Sequence, residues 1–267
     1  MGWSGITKLY RFNAVLCFRK NHYLYLEKPV RIDEIELSPT EFQNKVSVSF
    51  TVRADSDKEA MREAEKFIDS LCTAILLSTN IAVDAESINI VSRVEEACET
   101  RYSDTERTKT IAVHIVIQSA ITLKEEVSVS LSLSLSEPHI KRIIEIAGKI
   151  AGFDELVNRF FRWYRWALLE DDPIDRFIKL WIAFEIWAEY KGYKKGKEEG
   201  EKIKMTNALV KECVFSEEEA NEIYAIRCSI FHSGVYDKAL NKLSKLEKCL
   251  ETVVLNYGKT SLSNLQS

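Results

Sequence analysis

Apolar and polar residues alternate with a period of two through the first half of the chain, from Thr7 to about Leu135. Such alternation places the apolar side chains on one face of a strand and the polar side chains on the other. Five segments carry the pattern: Leu9–Leu16, Lys45–Val52, Ser87–Val94, Thr110–Gln118 and Val127–Leu135. The pattern predicts a sheet with one covered face and one solvated face, as antiparallel sheets often have.

One long helix is predicted to interrupt these strands. It begins at Asp55-Ser56-Asp57, where Glu59 follows Ser56 at the spacing of a capping box. Apolar residues then recur at helical spacing: Ala60, Ala64, Phe67, Ile68, Leu71 and Ile75. Strands on both sides of one amphipathic helix predict an α+β layer, in which the helix covers one face of an antiparallel sheet.

The apolar period becomes helical after Ser136-Glu137-Pro138 and stays helical to the end of the chain. Predicted helices begin near Pro138, Asp154, Pro173, Lys202, Ser216 and Tyr236. Ser216, with Glu219 three positions later, forms a second capping-box pattern. The predicted fold class is therefore α+β, with an α+β domain at residues 1–135 and an all-α bundle at residues 136–267.

Composition narrows the classes of function. A chain of 267 residues suffices for one large or two modest domains with a real core. The net charge of −4 argues against a protein that coats nucleic acid through charge alone, although it is compatible with a local basic patch. No apolar run has the length of a signal peptide or a membrane span, so we expect a cytoplasmic protein without a membrane partner.

The spacing of cysteines and histidines gives no sign of a metal or a cofactor. The six cysteines are scattered, without a C-x-x-C pair or a cysteine–histidine cluster. We expect them to be small buried apolar residues rather than parts of a disulfide framework. Residues 1–135 also lack a glycine-rich phosphate loop and a constellation of carboxylates, so this half does not reveal its own function.

The candidate chemistry lies near the end of the chain, where His232 follows Arg227 after four intervening residues. A neutral imidazole can take the proton of a ribose 2'-hydroxyl, and a guanidinium can hold the phosphate as its negative charge rises. This spacing turns a helix by about 140°, so the two side chains would not share one face of a continuous helix. The long reach of arginine and a helix that ends near His232, with Gly234 as its left-handed cap, would reconcile them.

Two stretches of the helical half resemble the HEPN superfamily, and most closely its Apea-like branch. The run from Asp175 to Glu185 is similar to the early-helix signature of that branch. Ile226-Arg227 through His232-Ser233-Gly234 is similar to the Arg-x4-6-His motif of the family. The resemblance covers residues from about 154 to 257.

The resemblance implies a dimer of helical bundles whose motifs meet at the interface, and metal-independent endoribonuclease chemistry that often serves defence or toxin systems. It implies that Arg227 binds and polarises the phosphate, and that His232 acts as base and then as acid. Glu185 matches the acidic residue of the family's early helix, which either orients Arg227 or caps a buried network. Many active members have a small polar residue after the arginine, whereas this chain has Cys228, a poor hydrogen-bond donor.

Two basic regions are candidates for substrate binding. Arg162 and Arg165 alternate with aromatic residues in the second predicted helix, a combination that can contact phosphates and stack on bases. Lys194 and Lys195 lie in a basic loop after the third helix. A plainer interpretation also stands, in which the arginines form a solvated helix face and the charge of the loop is nearly cancelled by the glutamates that follow it.

Two functions therefore compete. The first is a metal-independent endoribonuclease without a cofactor, whose N-terminal domain senses, positions or restrains it and binds a ligand that the residues do not identify. The second is a non-catalytic HEPN module that dimerises, binds nucleic acid or serves as a scaffold. We expect a homodimer through the helical domain, because Trp163, Trp166, Trp181 and Trp187 exceed what one small bundle needs.

Overall fold

The computed structural model of the chain describes residues 8–18, 22–26, 29–42, 44–95, 131–193, 200–233 and 239–263. In these ranges it contains an antiparallel sheet followed by helices, which confirms the predicted α+β fold class. The predicted strand Thr110–Gln118 lies outside the described residues, as does the first part of Val127–Leu135.

The strands are β1 (Lys8–Phe18), β2 (His22–Tyr25), β3 (Val30–Ile32), β4 (Ile35–Pro39), β5 (Lys45–Ala54), β6 (Val83–Glu95) and β7 (Leu131–Ser134). The helices are α1 (Asp57–Thr79), α2 (Glu137–Ile150), α3 (Glu155–Leu169), α4 (Pro173–Tyr190), α5 (Glu201–Cys213), α6 (Glu217–Ser233) and α7 (Ala239–Ser263). Each helix from α2 to α6 begins within one residue of its predicted start. Capping residues or proline mark the starts of α2, α3, α4 and α6.

Five strands form one antiparallel sheet in the order β3-β4-β5-β1-β6, and β2 pairs with β7 separately in parallel. The alternation of apolar and polar residues determines which side chains lie on each face of the larger sheet. Phe12 and Phe50 are buried on one face, whereas Ser47 Oγ donates to Asn13 Oδ1 at 2.7 Å on the other. Helix α1 covers the apolar face, where the rings of Phe50 and Phe67 lie 4.7 Å apart.

Both predicted capping boxes hold the first turn of a helix. At α1, the Glu59 backbone N–H donates to Ser56 Oγ at 3.3 Å. At α6, the Glu219 N–H donates to Ser216 Oγ and the Ser216 N–H donates to the Glu219 carboxylate, both at 3.1 Å. These bonds satisfy backbone donors that have no partner inside the helix, which fixes where each helix begins.

The chain separates into two compact units. The first consists of residues 1–75 and 83–151, and the second of residues 76–82 and 152–267. Helix α2 therefore groups with the sheet, although its helical period had assigned it to the second predicted domain. Periodicity indicates that a segment is a helix, but it does not indicate the unit to which the helix belongs.

Aromatic side chains fill the core of the second unit. Trp181 on α4 is completely buried and Trp187 on the same helix is nearly so. Trp163 and Trp166 on α3 are only half-buried, and their rings meet edge to face at 5.1 Å. Two of the four tryptophans that suggested a dimer interface are thus used inside the bundle itself, and the homodimer stays a prediction.

A disulfide joins two helices of the second unit, contrary to our expectation for the cysteines. Cys213 at the end of α5 is bonded to Cys249 on α7, with a Cα–Cα distance of 4.9 Å across a sequence separation of 36. Spacing along the chain could not indicate this pair, because only the packing of α5 beside α7 brings the two residues together. Cys17, Cys72 and Cys228 are not disulfide-bonded.

No helix among the described residues combines the length and the apolar character that crossing a membrane requires.

Breaking the Cys213–Cys249 disulfide should destabilise the second unit. Closing a loop of this length in the unfolded chain corresponds to roughly 3–4 kcal/mol in the chain-entropy treatment. We expect a double variant, Cys213→Ser with Cys249→Ser, to lose about that much free energy of unfolding. Urea unfolding followed by tryptophan fluorescence measures the loss, because four of the five tryptophans lie in residues 152–267.

Cys228→Ser is the matched control, since Cys228 is a free, half-buried cysteine of the same unit. Unchanged unfolding of the double variant under oxidising conditions would contradict the prediction. So would peptide mapping that finds free thiols at both Cys213 and Cys249.

Candidate functional site

The side chains of the candidate site lie on three helices of the second unit. Arg227 and His232 are both on α6, with His232 exposed in its last turn. The helix ends at Ser233, close to the predicted end, while Gly234 lies outside the described residues. Glu185 is on α4, and Glu201 is the first residue of α5.

Arg227 forms an ion pair with Glu185, 42 positions earlier in the chain. Arg227 Nη2 lies 3.4 Å from Glu185 Oε1, and the two side chains are only 19% and 20% exposed. The same oxygen accepts a 2.7 Å hydrogen bond from Nε1 of Trp181, one turn earlier on α4. Two partners therefore share the Glu185 carboxylate. It holds Arg227, and it satisfies the N–H of a buried indole.

A second carboxylate approaches the same nitrogen of Arg227. Glu201 Oε1 lies 3.7 Å from Arg227 Nη2, but the Glu201 side chain is 60% exposed. Solvent screens this contact more than the contact with Glu185, so it contributes less to stability. Sequence reasoning missed Glu201, which looked like part of the acidic run that follows the basic loop. Only the fold brings the start of α5 beside α6.

The charge of Arg227 is maintained by its neighbours. Burial lowers the pKa of the guanidinium, but the attraction of Glu185, with smaller contributions from Cys228 and Glu201, raises it above its ordinary value. Arginine is protonated at any pH at which the protein folds, and these neighbours strengthen that preference. The site thus contains a permanent, partly buried positive charge.

Two aromatic rings lie against the guanidinium. Its Cζ atom is 5.9 Å from the centre of the Tyr224 ring and 5.1 Å from the centre of the Phe231 ring, distances typical of cation–π contacts. Arg227 Nε is buried and has no hydrogen-bond partner among the described residues. The rings and Glu185 together fix the orientation of the guanidinium.

Tyr224 and Cys228 are neighbours on α6, one helical turn apart, and both are half-buried. Burial raises the pKa of Tyr224, and the adjacent Cys228 thiol raises it further. The phenol is therefore neutral near pH 7. Cys228, at the position after the arginine, is free rather than disulfide-bonded.

The candidate substrate-binding residues fall in different places. Arg165 is completely buried, so it does not lie on a surface that RNA can reach. Its position one helical turn after the buried Phe161 explains this, because residues four apart share a helix face. Arg162 is half-buried on the same helix. Lys194 and Lys195 lie outside the described residues.

No group of three or more histidine, cysteine, aspartate or glutamate side chains in the described residues is arranged to hold a metal ion. No protein-family model, curated protein or solved structure matches the chain. The HEPN resemblance therefore rests on the two stretches of sequence quoted above, and the roles that it implies remain predictions.

Removing the charge of Glu185 should destabilise the second unit, because among the described residues Arg227 would then keep only the exposed Glu201 as a carboxylate partner. We expect Glu185→Gln to lower the free energy of unfolding by about 1–3 kcal/mol, as for other partly buried charged hydrogen bonds. The amide oxygen can still accept the Trp181 N–H, so the loss reports mainly on the ion pair. Urea unfolding followed by tryptophan fluorescence measures it.

Glu201→Gln is the matched control, because it removes the exposed carboxylate from the same nitrogen. It should change the free energy of unfolding by no more than about 1 kcal/mol. If both variants lose the same amount, Glu185 is not the main partner of Arg227.

Proposed function

We propose that the chain is a metal-independent endoribonuclease of the HEPN type, acting on RNA in the cytoplasm as part of a defence or toxin system. The observation that carries the proposal is the contact between Arg227 and Glu185. These are the motif residues of two separate stretches that resemble the family, and they meet at 3.4 Å. A pairing of this kind is expected if both stretches serve one site.

Arg227 has the properties that a phosphate-binding group requires. It is permanently charged, held by Glu185 and flanked by two rings. Because its position is set before the substrate arrives, the charge can stabilise the transition state without reorganisation. A guanidinium has five N–H donors, and both carboxylates contact the same nitrogen. A phosphate can therefore bind while Glu185 stays in place.

His232 supplies the proton transfers in this mechanism. Its neutral imidazole takes the proton of the ribose 2'-hydroxyl, and the 2'-oxygen attacks the adjacent phosphorus. The bond from phosphorus to the 5'-oxygen breaks, and the protonated imidazole gives its proton to that oxygen. The products are a strand ending in a 2',3'-cyclic phosphate and a strand beginning with a 5'-hydroxyl. Exposure of His232 at the end of α6 is compatible with access to RNA.

A homodimer through the helical unit belongs to the same proposal, since the HEPN resemblance implies that two motifs share one groove. The half-buried Trp163 and Trp166 remain candidates for the interface. The N-terminal unit is then the part that senses, positions or restrains the nuclease by binding a ligand.

A non-catalytic HEPN module is the second candidate function, and two observations favour it. Arg227 already contacts two carboxylates and is only 19% exposed, so an incoming phosphate must compete with Glu201 for it. In addition, Cys228 takes the place of the small polar residue that follows the arginine in many active members. Such a protein would dimerise and bind RNA without cleaving it.

Cleavage of mixed RNA in EDTA tests the first candidate. Arg227→Ala should lower the rate by about 10²–10³, the effect of losing one group that stabilises a developing oxyanion. His232→Ala should lower it by roughly 10²–10⁴, because acid–base catalysis is lost. The product should carry a 2',3'-cyclic phosphate by mass spectrometry, and DNA should survive because it lacks the 2'-hydroxyl.

Arg142→Ala and His139→Ala are the matched controls, since both residues are exposed on α2, away from α6 in the chain. They should retain full activity. Cleavage that persists in both motif variants, or that needs added magnesium, would falsify the assignment. Binding of RNA by a dimer that leaves it intact would instead support the non-catalytic module.

A further inference from the structure

Phe231, Tyr224 and Cys228 lie on the arc of α6 that runs from Arg227 to His232. At about 100° per residue, Phe231, Tyr224, Cys228 and His232 are rotated from Arg227 by roughly 40°, 60°, 100° and 140°. The arc between the guanidinium and the imidazole is therefore occupied mainly by two aromatic rings. These two rings have no part in the proton transfers proposed above.

Phe231 is the ring on this arc that is open to solvent. Its side chain is 46% exposed even though its ring lies 5.1 Å from Arg227 Cζ. Tyr224 is half-buried and its ring packs edge to face against the buried Trp181 at 6.0 Å. Tyr224 is thus part of the wall of the site, whereas Phe231 can receive a further planar group.

A nucleotide presents three chemical groups next to one another: a phosphate, a ribose and a flat base. Along this arc α6 presents a guanidinium, an exposed aromatic ring and an imidazole. The guanidinium matches the phosphate, and the imidazole matches the ribose hydroxyl. The remaining pair is the ring and the base, and base–aromatic stacking is the usual means by which proteins bind unpaired bases.

We infer that Phe231 stacks on the base of the nucleotide at the cleaved bond, so that the substrate is RNA unpaired at that position. The inference rests on the proposed function and specifies its substrate. Because every base has a flat face, stacking selects single-stranded RNA over duplex RNA more strongly than it selects one base over another. Phe231 is then a specificity-determining residue, separate from the groups that bind the phosphate and move the proton.

A thermodynamic cycle tests the stacking. The cleavage site is first mapped with the wild-type chain, and a single-stranded RNA carrying that site is made with 2'-deoxyribose at the cleaved nucleotide, so that it binds but cannot react. A second RNA is identical except that the base of that nucleotide is removed. Dissociation constants of both are measured for the wild type, Phe231→Ala and Phe231→Leu by fluorescence anisotropy.

We expect loss of the base to weaken binding to the wild type by roughly 5- to 150-fold, which corresponds to the 1–3 kcal/mol found when the aromatic partner of a stacked base is removed. In both Phe231 variants the two RNAs should bind within about twofold of each other. Phe231→Leu keeps an apolar cover on Arg227, so a residue that only shields the guanidinium would lose little in this variant. Retained discrimination between the RNAs in either variant overturns the inference.

Phe42→Ala is the matched control, because Phe42 is also an exposed ring in contact with a cation. It lies in the first unit, is 53% exposed, and its ring centre is 5.0 Å from Lys45 Nζ. The control variant should leave both dissociation constants unchanged. Sedimentation of the Phe231 variants tests whether the ring belongs to a dimer interface instead. If Phe231→Ala dissociates a dimer and weakens both RNAs equally, Phe231 belongs to an interface and the stacking inference is wrong.

The two proposals fail in different ways. If the wild-type chain neither binds nor cleaves RNA, both the proposed function and the stacking inference are wrong. If the chain cleaves RNA but binds the normal and the base-free RNA equally tightly, the stacking inference alone is wrong.

Discussion

The ion pair between Arg227 and Glu185 is the contact on which the candidate site depends. An arginine side chain that is only 19% exposed needs a carboxylate for its guanidinium, since an unpaired buried charge is costly. Glu185 in turn is anchored by the indole N–H of Trp181, which is completely buried in the core of the second unit. The position of the positive charge is thereby tied to the core packing rather than left to a flexible side chain.

The same contact limits what the site can do. A carboxylate that positions the guanidinium also neutralises part of its charge, and Glu201 adds a second negative group at the same nitrogen. A nuclease needs the guanidinium to exchange the exposed carboxylate for a phosphate while it keeps the partly buried one. A scaffold protein needs no such exchange. The difference in exposure between Glu185 and Glu201 is therefore the feature that makes catalysis physically reasonable.

Local patterns in the sequence were sufficient to predict much of the fold. Alternation around Phe12 and Phe50 predicted the covered face of the sheet, and Ser216 with Glu219 predicted the start of α6. The same patterns failed where a property depends on packing between helices. Arg165 was treated as a possible solvated residue because arginine is usually exposed, but its spacing from Phe161 places it on the inner face of α3. Cys213 and Cys249 likewise meet only because α5 packs beside α7.

The candidate site was predictable only in part. Arg227 and His232 were singled out by their chemistry and spacing, Glu185 came only from the resemblance to a family, and the structure adds the contact between Arg227 and Glu185. Glu201 could not be found in this way, because its contact with α6 arises from the packing of α5. Phe231 lies inside the motif in the sequence, but its exposure is a property of the fold.

A structure of the full chain bound to an RNA with 2'-deoxyribose at the cleaved nucleotide tests the central claim most directly. The account predicts a phosphate oxygen within hydrogen-bond distance of the Arg227 guanidinium, Glu185 still paired with it, Glu201 displaced, and the 2' carbon of the sugar facing His232. An RNA bound elsewhere, with Arg227 still in contact with both carboxylates, would contradict the account.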